Sequence, residues 1–170
     1  MVTWFGFLLI LGASVLAGMG HLFAAGWVML ASGFFDIIDG ALARGTNQVT
    51  RFGAVLDSTL DRASEAVMLL GIAAYYLFSK AVGNFEWIVL LIGLAIMGSF
   101  LVSYVRARAE GVGLDCQVGM FTRTERVIIL ALGLLLGSVG GVLIAVVVVV
   151  AVLSLVTVIQ RLVYVAKKAK

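Results

Sequence analysis

Four aspartates interrupt strongly apolar, helix-forming sequence in two pairs. Asp36 and Asp39 lie in the run Asp36-Ile37-Ile38-Asp39-Gly40-Ala41-Leu42-Ala43-Arg44, and Asp57 and Asp61 follow Gly53. At 3.6 residues per turn the first pair is about 60° apart around a helix and the second about 40°, so each pair shares a face. The intervening polar segment is short, which makes the two helices antiparallel neighbours and brings four carboxylates to one point. An aspartate near the centre of a membrane helix costs roughly 2.5 to 3.5 kcal/mol, so the quartet implies roughly 10 kcal/mol to be offset. Like charges that converge uncompensated raise one another's pKa values, and bound divalent cations remove that conflict. An all-oxygen donor set favours Mg²⁺ or Mn²⁺, with Ca²⁺ as a further occupant, over zinc, whose Cys and His ligands do not accompany the acids. Four carboxylates can hold two such ions at the roughly 3.5 to 4 Å separation suited to phosphoryl transfer. Gly40, Ala43 and Gly53 are small and leave a bulky ligand room to approach the backbone.

The elements that must position these acids follow from composition. The 170 residues are 63% hydrophobic and 12% charged, with a mean hydropathy of +1.18, far outside the range of a soluble domain. The reading is an all-α, polytopic integral membrane protein with six transmembrane helices around a cytoplasm-facing polar cavity. Apolar stretches approaching the about 20 residues that a bilayer requires run over 2–19, 22–43, 54–78, 85–105, 124–139 and 141–165. The fifth is short enough to tilt or to merge with the sixth across Gly140-Gly141. One domain, 1–170, accommodates all of them.

Lys and Arg near helix ends stay on the cytoplasmic side. With both termini inside, 11 of the 12 basic residues fall there and only Lys80 lies outside, so the acidic cluster faces the cytoplasm of a multi-pass cell-membrane protein. The net charge of +3 reflects this asymmetry and suits an anionic leaflet; no basic face with interleaved aromatics points to nucleic acid. Lone Cys116 forms no internal disulfide, and His21, in the outer loop, stands apart from the acids. Met1-Val2-Thr3 leads directly into Trp4 without a signal-peptide pattern.

The string Asp36-x2-Asp39-Gly40-x2-Ala43-Arg44-x8-Gly53-x3-Asp57-x3-Asp61 resembles the signature of the CDP-alcohol phosphotransferases at every fixed position, eight residues over 26 positions. The resemblance implies six transmembrane helices, a homodimer, and transfer of a substituted phosphate from a CDP-alcohol to a second alcohol with release of CMP. It implies that Asp36, Asp39 and Asp57 are metal ligands and that Asp61 is both a ligand and the base for the attacking hydroxyl. It further implies that Gly40, Ala43 and Gly53 border the cytidine pocket and that Arg44 contacts the nucleotide. Members of the family commonly carry an amphipathic interfacial helix before the first span, which the opening residues here do not match.

Flanking residues discriminate among acceptors. The segment Asp57-Ser58-Thr59-Leu60-Asp61-Arg62, together with Ser103 to Glu110 and Arg123-Thr124-Glu125-Arg126, resembles the phosphatidylinositol phosphate synthases, which join CDP-diacylglycerol to inositol phosphate. An acceptor that already bears phosphate needs a cationic pocket apart from the metals. Ser103 and Arg106 share a face of the fourth helix, Arg123 and Arg126 repeat that spacing at the start of the fifth, and Arg161 approaches from the sixth. These five form the expected acceptor-phosphate site. Two alternatives stand beside it: a phosphatidylglycerophosphate synthase using glycerol 3-phosphate, and, since intramembrane acids also mark ion pathways, a cation transporter or channel.

Overall fold

The computed structural model describes the backbone of residues 2–45, 50–78 and 85–169 and the side chains of residues 4–35, 50–78 and 86–169. Six helices follow in order among the described residues: α1 (Val2–Gly18), α2 (Leu22–Gly45), α3 (Arg51–Phe78), α4 (Phe85–Gly111), α5 (Arg123–Leu135) and α6 (Val142–Lys168). The architecture is all-α, as expected from the sequence. Helix α1 packs on α2 and α3, α4 on α3 and α6, and α5 on α2 and α6.

Each buried stripe follows helical spacing. In α1 it is Ile10, Ala13 and Ala17, and in α2 it is Leu22, Ala25, Met29 and Ser32. Two hydroxyls bond across these seams: Ser14 donates to the Val67 carbonyl at 2.7 Å, and Ser32 donates to the Gly6 carbonyl at 3.0 Å. Small residues set how closely the backbones meet. A Cβ at Gly71 would stand 2.5 Å from the Ser14 carbonyl oxygen, so α1 and α3 can touch here only with glycine. Two helices are long and strongly apolar, Glu86–Gly111 and Val142–Lys168, with mean hydropathies of 2.5 and 3.4, and two shorter apolar ones are Trp4–Gly18 and Leu22–Phe35.

Among the boundaries that differ from the hydropathy pattern, three are set by a cap or a turn rather than by apolarity. Helix α3 begins at Arg51 rather than 54, because the Thr50 hydroxyl accepts the Gly53 N–H at 3.0 Å in an N-cap. Helix α4 continues past 105 to Gly111, ending where Gly113 takes a φ of 81° and the Leu114 N–H reaches back to the Ala109 carbonyl at 2.9 Å. Arg106, Arg108 and Glu110 are therefore helical. Helix α5 stops at Leu135, short of 139, and does not merge with α6, since Gly141 at the cap of α6 has a φ of 81° that breaks the helical path.

Candidate functional site

Asp57 and Asp61 lie one turn apart near the start of α3, Asp57 exposed and Asp61 half-buried. Gly53 occupies the first turn of the same helix, under the Thr50 cap. Asp36, Asp39, Gly40, Ala43 and Arg44 belong to α2, but their side chains lie outside the described residues, so the convergence of all four aspartates does too. Among the described residues no group of three or more acids, histidines or cysteines gathers. Asp57 and Asp61 supply only hard oxygen donors on one helical face, a set that fits a divalent cation of the Mg²⁺ or Mn²⁺ kind.

Beside Asp61 opens a cavity of about 360 Å³ walled by α3, α4, α5 and α6. Ser103, Arg106, Arg123, Arg126 and Arg161 all line it, so residues 58 positions apart in sequence are collected around one space. Ser58 and Arg62 line it as well, and Thr122 closes the side where α5 begins. Five arginines face two carboxylates, Asp61 and Glu110, across the walls, which gives the cavity a net positive character. A smaller cleft of about 20 Å³ is also lined by Asp61 and Arg123, together with Met29, Ser32 and Gly33 of α2.

The arginines are held in different ways. An Arg123 Nη2 to Asp61 Oδ1 ion pair of 2.8 Å joins α5 to α3, with side chains 36% and 22% exposed. Arg106 Nε donates to Glu110 Oε1 at 2.8 Å, one turn along α4, with both groups about half exposed. Arg161 is buried; its Nε donates to the Val118 carbonyl at 2.8 Å and its Nη1 to the Val102 carbonyl. Gly119, at a φ of 137°, lies against it: a Cβ there would come within 3.1 Å of Arg161 Nε and 2.8 Å of Thr157. The chain between α4 and α5 is thus shaped around this guanidinium.

Arg126 borders the cavity, yet three of its N–H groups bond elsewhere. Its Nε and Nη2 donate to Glu65 Oε1 and Oε2 at 2.6 and 3.0 Å, and its Nη1 donates to the Phe121 carbonyl at 3.2 Å. Sequence reasoning missed Glu65. The signal was present, because an ionisable residue one turn beyond Asp61 in an otherwise apolar stretch has to find a buried partner. Thr122, at the cap position of α5, donates its hydroxyl to the Glu125 carboxylate, so Glu125 serves the helix start rather than the cavity.

The sequence matches the family described as CDP-alcohol phosphatidyltransferase over residues 1–162. It is 42% identical over 176 residues to an archaetidylinositol phosphate synthase of Methanothermobacter thermautotrophicus, covering 99% of this chain and 83% of that one. The fold is similar to the crystal structure of Mycobacterium tuberculosis phosphatidylinositol phosphate synthase with CDP-DAG bound, with 33% identity, a TM-score of 0.86 and coverage of 96% and 84% of the two chains. A second structure of that enzyme, in complex with manganese and citrate, gives a TM-score of 0.88 at 33% identity, covering 97% of this chain and 80% of that one. On sequence and fold together, the chain belongs to the CDP-alcohol phosphatidyltransferase family.

Proposed function

We propose that this protein transfers a phosphatidyl group from CDP-diacylglycerol to inositol phosphate, forming phosphatidylinositol phosphate and releasing CMP. The observation that carries the reading is the cavity beside Asp61 that five arginines line. A phosphate dianion held by Ser103, Arg106 and Arg123 keeps its polyol hydroxyls within the same space as the carboxylate. Asp61 then accepts the proton of the attacking hydroxyl. The hydroxyl oxygen bonds to the phosphorus that carries the lipid, the bond from that phosphorus to the bridging oxygen breaks, and CMP departs with the electron pair. Arg161 and Arg126 shape the walls through bonds to Val118, Val102 and Glu65.

The divalent cations would be held by Asp36, Asp39, Asp57 and Asp61, and when bound they supply charge neutralisation for the diphosphate and the leaving CMP. The relative solved in complex with manganese supports a divalent cation as the cofactor. Gly40, Ala43, Arg44 and Gly53 are assigned to the nucleotide, in keeping with their places on α2 and at the start of α3. Arg123 pairs with Asp61 before the acceptor enters; arrival of a phosphate gives Arg123 a stronger anionic partner and frees the carboxylate for the hydroxyl.

The same reading places six membrane-spanning helices in the cell membrane, with the cavity on the cytoplasmic side and the chain as a homodimer. Large apolar side chains exposed along the helices, among them Trp4, Leu8, Phe23, Leu90, Leu132 and Ile159, support a lipid surround. Membership of a transferase family replaces the transporter alternative. The similarity to an archaetidylinositol phosphate synthase favours a second reading of the lipid alone, in which an archaetidyl donor replaces the diacyl one and the acceptor is unchanged.

Purified protein in lipid with Mg²⁺ or Mn²⁺, given each CDP-activated lipid in turn with inositol phosphate, glycerol 3-phosphate, inositol or serine, tests the proposal through CMP release and mass spectrometry of the lipid product. Turnover with inositol phosphate is expected. Turnover with glycerol 3-phosphate alone would transfer the protein to the phosphatidylglycerophosphate synthases.

A further inference from the structure

Glu65 stands one turn beyond Asp61 on α3 and is 4% exposed, while Arg126 stands one turn beyond Arg123 on α5 and is 1% exposed. Their contact is bidentate, at 2.6 and 3.0 Å. Ser99 of α4 donates to the same carboxylate at 2.7 Å, and the remaining Arg126 nitrogen holds the Phe121 carbonyl at 3.2 Å. One carboxylate thereby ties together α3, α4, α5 and the chain entering α5.

We infer that Glu65 is a positioning residue for the acceptor site: by fixing Arg126 in a bidentate pair, it sets the rotation and axial height of α5 and so places Arg123 over the cavity beside Asp61. The inference rests on the function proposed above. Three residues along a helix amount to about 4.5 Å of rise and about 60° of rotation, so clamping position 126 determines where position 123 stands. Apolar contacts could hold α5 against α3 as tightly, but they are non-directional, whereas a planar guanidinium on a carboxylate fixes both distance and plane. A buried ion pair is weak evidence for stability alone, and here it lies one turn from the reacting carboxylate.

The test compares wild type with Glu65→Gln, with Arg126→Lys, and with the apolar double variant Glu65→Leu/Arg126→Met, each in lipid, by KM for inositol phosphate, KM for the CDP-lipid and kcat per folded enzyme. Glu65→Gln keeps an acceptor for Ser99 but loses one charge-assisted arm, and Arg126→Lys keeps the charge but loses the fork. Both are expected to raise the acceptor KM about tenfold or more while the donor KM stays within about twofold. The double variant is expected to melt near the wild-type temperature and still show the raised acceptor KM. A wild-type acceptor KM in the double variant, or in Arg126→Lys, would overturn the inference, as would a loss confined to the fraction of folded protein. Should wild type release no CMP with any phosphorylated acceptor, the functional reading fails instead, an outcome separate from unchanged variants of an active enzyme.

Discussion

Two ion pairs join α3 to α5 one helical turn apart, and they differ in almost everything except their chemistry. Arg123 and Asp61 meet at 2.8 Å on the cavity wall with side chains 36% and 22% exposed. Arg126 and Glu65 meet at 2.6 Å with side chains 1% and 3% exposed. A pair bordering open space loses little when it parts, because water or an incoming anion replaces the lost partner. A pair sealed inside the helices has no replacement at hand, so it persists. The contrast teaches that burial suits the two pairs to different tasks: under the function proposed, the inner pair would keep the framework in register and the outer pair would exchange partners during the reaction.

The largest expected effect breaks the outer pair at its acid. Asp61→Asn should lower kcat by about 10²- to 10⁴-fold, the usual contribution of a positioned general base, while the CDP-lipid still binds; single-turnover CMP release with a donor-binding isotherm measures both. Next comes the inner pair. Glu65→Ala or Arg126→Ala should cost about 3 to 5 kcal/mol by leaving a buried charge alone, seen as a fall in the melting temperature in detergent, and Glu65→Leu/Arg126→Met should recover most of it. If the single variants melted like wild type, the inner pair would be no more anchored than the outer one.

Arg123→Ala should raise the acceptor KM about 10- to 100-fold, corresponding to about 1.5 to 3 kcal/mol for a bond to a charged group. The donor KM and the melting temperature should change little, because a half-exposed pair contributes about 0 to 1 kcal/mol to stability. Equal increases in both KM values would make Arg123 an anchor instead of an acceptor ligand. The smallest effect belongs to Glu110→Gln, whose partner Arg106 lies one turn away on an exposed face. The melting temperature should move by less than the equivalent of about 0.5 kcal/mol, and acceptor affinity should rise slightly as a competing anion leaves Arg106.

The helices were legible because apolar runs are long and a helix is the means by which a chain meets its own hydrogen bonds away from water. Their ends were less so. Apolarity stops at 105, yet α4 runs on to Gly111 because a positive-φ glycine, not the last apolar residue, closes it. Ser103, Arg106, Arg123, Arg126 and Arg161 are expected together from the family resemblance, which calls for a cationic pocket, and from helical spacing and side, and the structure collects all five around one cavity. What spacing could not reveal is how each guanidinium is occupied. Arg126 looks like Arg123 in sequence, but its partner Glu65 is 61 residues away on another helix, a relation that only tertiary packing creates. Gly119 is similar: its role beside Arg161 depends on a loop conformation that no periodicity encodes.

The most direct measurement of the central claim is a competition. Lipid-reconstituted protein with Mn²⁺ and CDP-diacylglycerol would receive inositol phosphate and glycerol 3-phosphate together at equal concentration, with the lipid products resolved by mass spectrometry. The proposed function predicts phosphatidylinositol phosphate as the dominant product, formed one for one with CMP and reduced by about 10²-fold or more in Asp61→Asn. A product pool dominated by phosphatidylglycerophosphate, or turnover in Asp61→Asn close to the wild-type rate, would contradict the account.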